Sequence, residues 1–130
     1  MENWILAHDL TPSSDGAADE VARLTSLLKG QLTIVYVDDG NHASSEEKEL
    51  RASVARARLD RLAVILRERY PVADITVRVV RGDPVQSILG MVKELRAHAV
   101  AVGTGGRSAD PLAARLLKVS QVPTLVVPER

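Results

Sequence analysis

The residues best suited to chemistry in this chain stand in four short polar clusters between apolar runs. They are His8-Asp9-Leu10-Thr11, Val37-Asp38-Asp39, Arg81-Gly82-Asp83 and Gly103-Thr104-Gly105-Gly106-Arg107-Ser108. The glycine cluster is the most informative. Without side chains, successive backbone N–H groups can approach and cradle an anion, with Arg107 and Ser108 in reach of a phosphate. The same glycines also suit a tight strand-to-helix turn with Arg107 merely exposed, and both readings stay open. His8-Asp9 offers either an acid–base pair or an aspartate that braces the following turn. No serine, cysteine or lysine stands where it would make His8 a recognisable base.

Two familiar phosphate motifs are absent. A P-loop needs Gly-Lys-Ser/Thr after its glycines, whereas Gly106 is followed by Arg107-Ser108. A dinucleotide fingerprint belongs after the first strand, where this chain has His8-Asp9-Leu10-Thr11-Pro12 and no glycine. His42 falls in a polar loop and His98 at a helix end, and the three histidines lack metal-ligand spacing. No metal site is expected.

The elements that must position these clusters follow from the changing period of the apolar residues. Trp4 to His8 reads as a first strand, with Trp4 a packing residue. Thr11-Pro12 opens a helix along Ala17, Val21, Leu24 and Leu28 that Gly30 ends. Leu32 to Val37 is a second strand. Ser44 with Glu47 has capping-box spacing before a long helix, whose stripe is Leu50, Val54, Leu59, Leu62 and Leu66, lasting to Tyr70-Pro71. Its arginines, Arg51, Arg56, Arg58, Arg61, Arg67 and Arg69, interleave with Glu46, Glu47, Glu49, Asp60 and Glu68, which predicts a solvated face laced with ion pairs. Ile75 to Val80 is a third strand. Asp83, Pro84 and Gln86 open a third helix that buries Val85, Ile88, Leu89, Val92 and Leu95. Ala99 to Val102 is the fourth strand, Leu112 to Lys118 a last helix, and Thr124 to Val127 the fifth strand.

Strands alternating with helices predict an α/β fold, a doubly wound five-stranded parallel sheet with helices on both faces. All four clusters then fall at the carboxyl ends of strands, where open sheets bind ligands. With no linker or repeat, residues 1–130 are expected to form one domain. Apolar residues make up 45% and aromatics 2%, so aliphatic side chains must build the core. Seventeen basic residues balance seventeen acidic ones, so no long-range field would recruit nucleic acid or a membrane. There is no cysteine, hence no disulfide or thiolate chemistry. Lacking a leader or an apolar span, the chain is expected in the cytoplasm.

The order of elements and the stretch Ala99-Val100-Ala101-Val102-Gly103-Thr104-Gly105-Gly106-Arg107-Ser108 resemble the universal stress protein family. So does Ser120-Gln121-Val122-Pro123-Thr124-Leu125-Val126-Val127-Pro128, with Asp9 and Gly82-Asp83-Pro84 at matching places. The resemblance covers nearly the whole chain. It implies an adenine-nucleotide α-hydrolase-like fold with strand order 3-2-1-4-5. It also implies a site at Asp9, Val37, Gly103, Gly106, Arg107 and Ser108, with Asp9 near adenine or ribose beside Val37. ATP-binding relatives carry, after the second glycine, nine intervening residues and then Gly-Ser or Gly-Thr. Here Leu116-Leu117 stand there, and aligned on Ala113-Ala114-Arg115-Leu116-Leu117 the pair becomes Asp110-Pro111. Pro111 removes an N–H, and Asp110 would cap the helix and repel a triphosphate.

The leading expectation is therefore a non-catalytic stress-response or regulatory domain with a degraded phosphate loop and no required cofactor. By the resemblance it pairs as a homodimer through its last strand, Val119 to Pro128. The alternative is a switch that binds ATP or AMP at the Gly103–Ser108 turn, with room only for a weak ATPase activity. A third reading, a receiver-like phosphorylation domain, would use Asp9 with Asp38-Asp39 but lacks a lysine after the fifth strand.

Overall fold

A computed structural model of the chain describes residues 2–40, 44–103 and 111–128. The elements run β1 (Asn3–Ala7), α1 (Pro12–Leu27), β2 (Gln31–Asp38), α2 (Ser45–Arg69), β3 (Asp74–Arg81), α3 (Pro84–Leu95), β4 (Ala99–Gly103), α4 (Pro111–Val119) and β5 (Thr124–Val127). Every pairing is parallel, and the strand order is β3-β2-β1-β4-β5. The expected fold class and strand order both stand. Among the described residues, no helix is long and apolar enough to cross a membrane.

Alternation along each strand sends neighbours to opposite faces, so the sheet carries two cores. Leu6, Leu32 and Ile34 pack with Val21 of α1 and with Leu59 and Leu66 of α2. Ile5, Val35, Val100 and Val102 pack on the other face with Ile88 of α3 and Leu116 of α4. Each such aliphatic side chain contributes about 1.5–3 kcal/mol on burial. Alanines stand where the helices press on the sheet, Ala17, Ala18 and Ala22 in α1 and Ala55 and Ala63 in α2. Trp4 packs against the α1–α2 core, as its place in the first strand predicts.

Helix starts follow local chemistry. Thr11 caps α1 by accepting from the Ser14 N–H, and Pro12 stands at the first helical position, where its missing N–H costs nothing. Ser44 accepts from the Glu47 N–H at 3.2 Å, and Asp83 from the Gln86 N–H at 2.9 Å. The end of α1 differs from expectation. The left-handed residue is Lys29, with φ 52°, rather than Gly30. Gly30 is needed for space, because a Cβ there would lie 2.8 Å from the backbone oxygen of Glu2.

Two further corrections concern buried faces. Leu50 and Val54, expected in the core stripe of α2, are 65% and 57% exposed. At about 100° per residue, the nine positions from Leu50 to Leu59 turn the side chain to the opposite side of the helix. The expected stripe merged two faces, and docking on β2 and β3 selects Ala55, Leu59, Ala63 and Leu66. In α3, Val85 and Ile88 are buried as expected, but Met91 joins them while Leu89, Val92 and Leu95 are only partly covered.

The α2 arginines do form ion pairs, mostly with partners outside the helix. Arg58 reaches Asp15 of α1 at 2.9 Å, and Arg69 reaches Asp19 at 2.5 Å. Arg67 donates to the Ile75 carbonyl of β3 at 2.7 Å. Arg56 with Asp60, at 3.4 Å, is the pair within the helix. His98 likewise serves a tertiary contact, its Nδ1 accepting from the Asn3 N–H at 3.2 Å.

Candidate functional site

Parallel register brings the strand ends level. Ala7 pairs with Val35 on one side and Val102 on the other, so β1 lies between two neighbours with diverging connections. At that reversal of strand order a cleft of about 320 Å3 opens beyond the carboxyl ends of β1, β2 and β4. Its walls include Asp9, Val37 and Gly103, residues far apart in sequence. Gly106, Arg107 and Ser108 lie outside the described residues, as do Asp110 and His42, while Pro111 is the first residue of α4. Gly103 gives room for close packing, since a Cβ there would lie 3.4 Å from Ala17 Cβ and from the Ser13 oxygen of α1.

Asp9 organises the turn between β1 and α1. Its Oδ1 accepts from the Thr11 N–H at 3.1 Å, the Thr11 hydroxyl at 2.5 Å and the Ser14 hydroxyl at 2.5 Å. Its own N–H donates to Ser14 Oγ at 3.2 Å. One carboxylate oxygen thus braces the turn, while Oδ2 takes no partner among the described residues. Partial burial works to raise the Asp9 pKa, but the Ser14 and Thr11 hydrogen bonds outweigh it and hold the carboxyl below its ordinary value. The site therefore presents an ionised acceptor at neutral pH.

His8 is 3% exposed and is held at both ring nitrogens. The Leu10 N–H donates to Nδ1 at 2.9 Å, which leaves the ring proton on Nε2, where it donates to Asp15 Oδ1 at 2.7 Å. Asp15 is held in turn by Arg58. Burial is the main cause that pushes the His8 pKa below 6.5, against the opposing pull of Asp15. Such a ring has no free lone pair for a substrate proton. Its work is to fix Leu10, a non-glycine residue in the left-handed region at φ 65°, a conformation that costs about 1–2 kcal/mol.

Asp38 does not join Asp9. It is 2% exposed at the end of β2, where Oδ1 accepts from the Gly40 N–H at 3.0 Å and faces Arg51 at 3.8 Å. Among the described residues no three acids or histidines gather around a common point. The acid cluster that a receiver-like domain requires is not formed there.

The cleft also has walls that sequence reading missed. Tyr36, Ile88 and Leu112 add apolar surface, Ser14 a hydroxyl, and Arg115 a guanidinium from α4. Ser14 had a weak local signal, five residues after Asp9 in a helix start. Arg115 had none, since only the packing of α4 brings it to the cleft. A larger groove of about 520 Å3 runs along α1 and α2, but Asp15, Asp19 and Arg69 in its wall are already ion-paired. The strand-end cleft is the better candidate because one carboxylate oxygen there has no partner among the described residues.

Against known proteins, the family model described as the universal stress protein family matches residues 1–128. No curated protein sequence matches the chain. Among solved structures, a universal stress protein family member from Burkholderia pseudomallei is similar, with TM-score 0.82 and 22% identity over 98% of this chain and 96% of that one. The universal stress protein of Archaeoglobus fulgidus in complex with dAMP has TM-score 0.78 and 16% identity, covering 98% of each chain. A universal stress protein in complex with cAMP has TM-score 0.72 and 19% identity, over 98% of this chain and 96% of that one.

Proposed function

Because the chain belongs to the universal stress protein family, we propose that it is a non-catalytic regulatory domain whose strand-end cleft takes an adenine nucleotide. The observation that carries this reading is the Asp9 carboxylate in the cleft wall, with Oδ1 committed to the turn and Oδ2 without a partner among the described residues. A ribose diol or an adenine amino group is the kind of donor an ionised acceptor there would take. Val35, Val37, Ile88 and Leu112 supply the apolar wall a flat base needs. Relatives solved with dAMP and with cAMP support ligands of this class. His8, buried and bonded at both nitrogens, supports a binding role over catalysis.

The degraded phosphate loop follows from sequence. Asp110-Pro111 replaces the glycine–hydroxyl pair of ATP-binding relatives, so the second half of the phosphate site is weakened and AMP is favoured over ATP. Thermal unfolding with AMP, ADP, ATP and cyclic nucleotides tests the reading. A ligand at about 100 times its Kd adds about 2.7 kcal/mol, a rise of several degrees at this size. The expected order is AMP above ATP. An unchanged midpoint with every nucleotide would remove the nucleotide from the proposal.

Homodimerisation through β5 completes it. The opposite edge, β3, carries Asp74, Arg78 and Arg81, charges that discourage pairing. The β5 edge is Thr-Leu-Val-Val, with exposed Leu117 and Val119 beside it. Light scattering is expected to give twice the chain mass, reduced to the monomer by Leu125→Arg. A monomeric wild type at working concentration would overturn the dimer.

A further inference from the structure

Asp9 and Arg115 are the one permanent anion and the one permanent cation among the described residues lining the cleft. A pocket lined by one carboxylate and one guanidinium is matched to a ligand that carries both hydrogen-bond donors and an anion. Arg115 reaches the cleft from α4, one turn past Pro111, on the side formed by Pro84, Gly103 and Leu112. This is where the ends of β4, α3 and α4 meet.

The guanidinium is loosely held. Its partner among the described residues is Asp83, with Nη2 3.5 Å from Oδ1, and its side chain is 57% exposed. Asp83 has another task, because its Oδ2 accepts from the Gln86 N–H to cap α3. An exposed ion pair of that length is weak, because solvent screens it and both side chains must be ordered to hold it. A phosphate offers two or three strong acceptor oxygens in a geometry that the planar fork of arginine matches, and it can displace such a partner.

From this placement we propose that Arg115 is the anion-selecting residue of the cleft, turning from Asp83 to a ligand phosphate and so favouring a nucleoside monophosphate over the free nucleoside. The inference rests on the nucleotide reading above and deepens it. The planar guanidinium of Arg115 matches one phosphate.

The test is calorimetric titration of the protein with AMP, adenosine and ATP, for wild type, Arg115→Ala and Asp83→Ser. Wild type is expected to bind AMP more tightly than adenosine. Arg115→Ala should weaken AMP by about 10- to 100-fold, the range for a lost charge-assisted contact, while adenosine affinity stays unchanged. Asp83→Ser keeps a capping hydroxyl and removes the rival carboxylate, so AMP should tighten by up to about fivefold. An unchanged AMP affinity in Arg115→Ala, with adenosine still bound, overturns the role of Arg115 and leaves the nucleotide site standing. Loss of adenosine and AMP in parallel points to a general defect of the pocket and also overturns it. If wild type binds neither, the nucleotide reading itself fails and this inference falls with it.

Discussion

Replacing His8 by leucine is expected to lower stability at pH 7.5 by about 2–3 kcal/mol and to flatten its decline in acid. The substitution keeps the volume but orphans the Leu10 N–H and one Asp15 oxygen, both bonded to the ring in the native turn. The pH effect has its own origin. Above 6.5 the ring is neutral in both folded and unfolded chains, and its contribution is complete. As pH falls through that value, the unfolded chain takes up the proton first, because burial keeps the folded ring neutral to lower pH. Stability is lost over that window until the folded ring also protonates, when Nδ1–H would face the Leu10 N–H. Urea midpoints at pH 7.5 and 5.5 should therefore converge in His8→Leu and stay well apart in wild type. Other carboxylates titrate in both proteins and cancel from the comparison. Equal pH dependence in the two would show that His8 is not the acid-sensitive group.

The second large effect is at Asp9, where two substitutions separate its two oxygens. Asp9→Ala removes an acceptor that serves Thr11 and Ser14 and should cost about 2–3 kcal/mol. Asp9→Asn retains an Oδ1 acceptor for the turn, so it should cost less than about 1 kcal/mol in stability. Its amide, however, would present N–H where the carboxylate had presented Oδ2. A ligand hydroxyl or amine would lose its charged acceptor, and nucleoside affinity should drop by about tenfold or more. Paired urea denaturation and calorimetry with AMP report both quantities. Unchanged AMP binding in Asp9→Asn would remove Oδ2 from the ligand site, and an undiminished Asp9→Ala would remove the brace.

Helix starts were legible because their chemistry is local. Thr11 with Pro12, Ser44 with Glu47 and Asp83 with Pro84 are hydrogen-bond or steric units contained within three residues. The strands were legible for a similar reason, as short β-branched runs bounded by turn residues, though their order came from family resemblance. The end of α1 was less so. Whether Lys29 or Gly30 takes the left-handed position depends on where Glu2 passes, which no local rule contains.

The sequence alone determined the element order, the aliphatic core composition and the placing of polar clusters at strand ends, because these are carried by periodicity and by near neighbours. It also carried Asp9, Val37 and Gly103 as candidates through their positions relative to strands. Tertiary structure alone decided which apolar stripe of α2 faces the sheet, because Leu50 and Leu59 compete on opposite sides of one helix until β2 and β3 choose. It alone silenced His8 as a base, because both ring nitrogens find partners in the folded turn from β1 into α1, where Arg58 of α2 in turn holds Asp15. And it alone brought Arg115 to the cleft, since the meeting of α4 with the capped start of α3 depends on the layering of both helices over one face of the sheet.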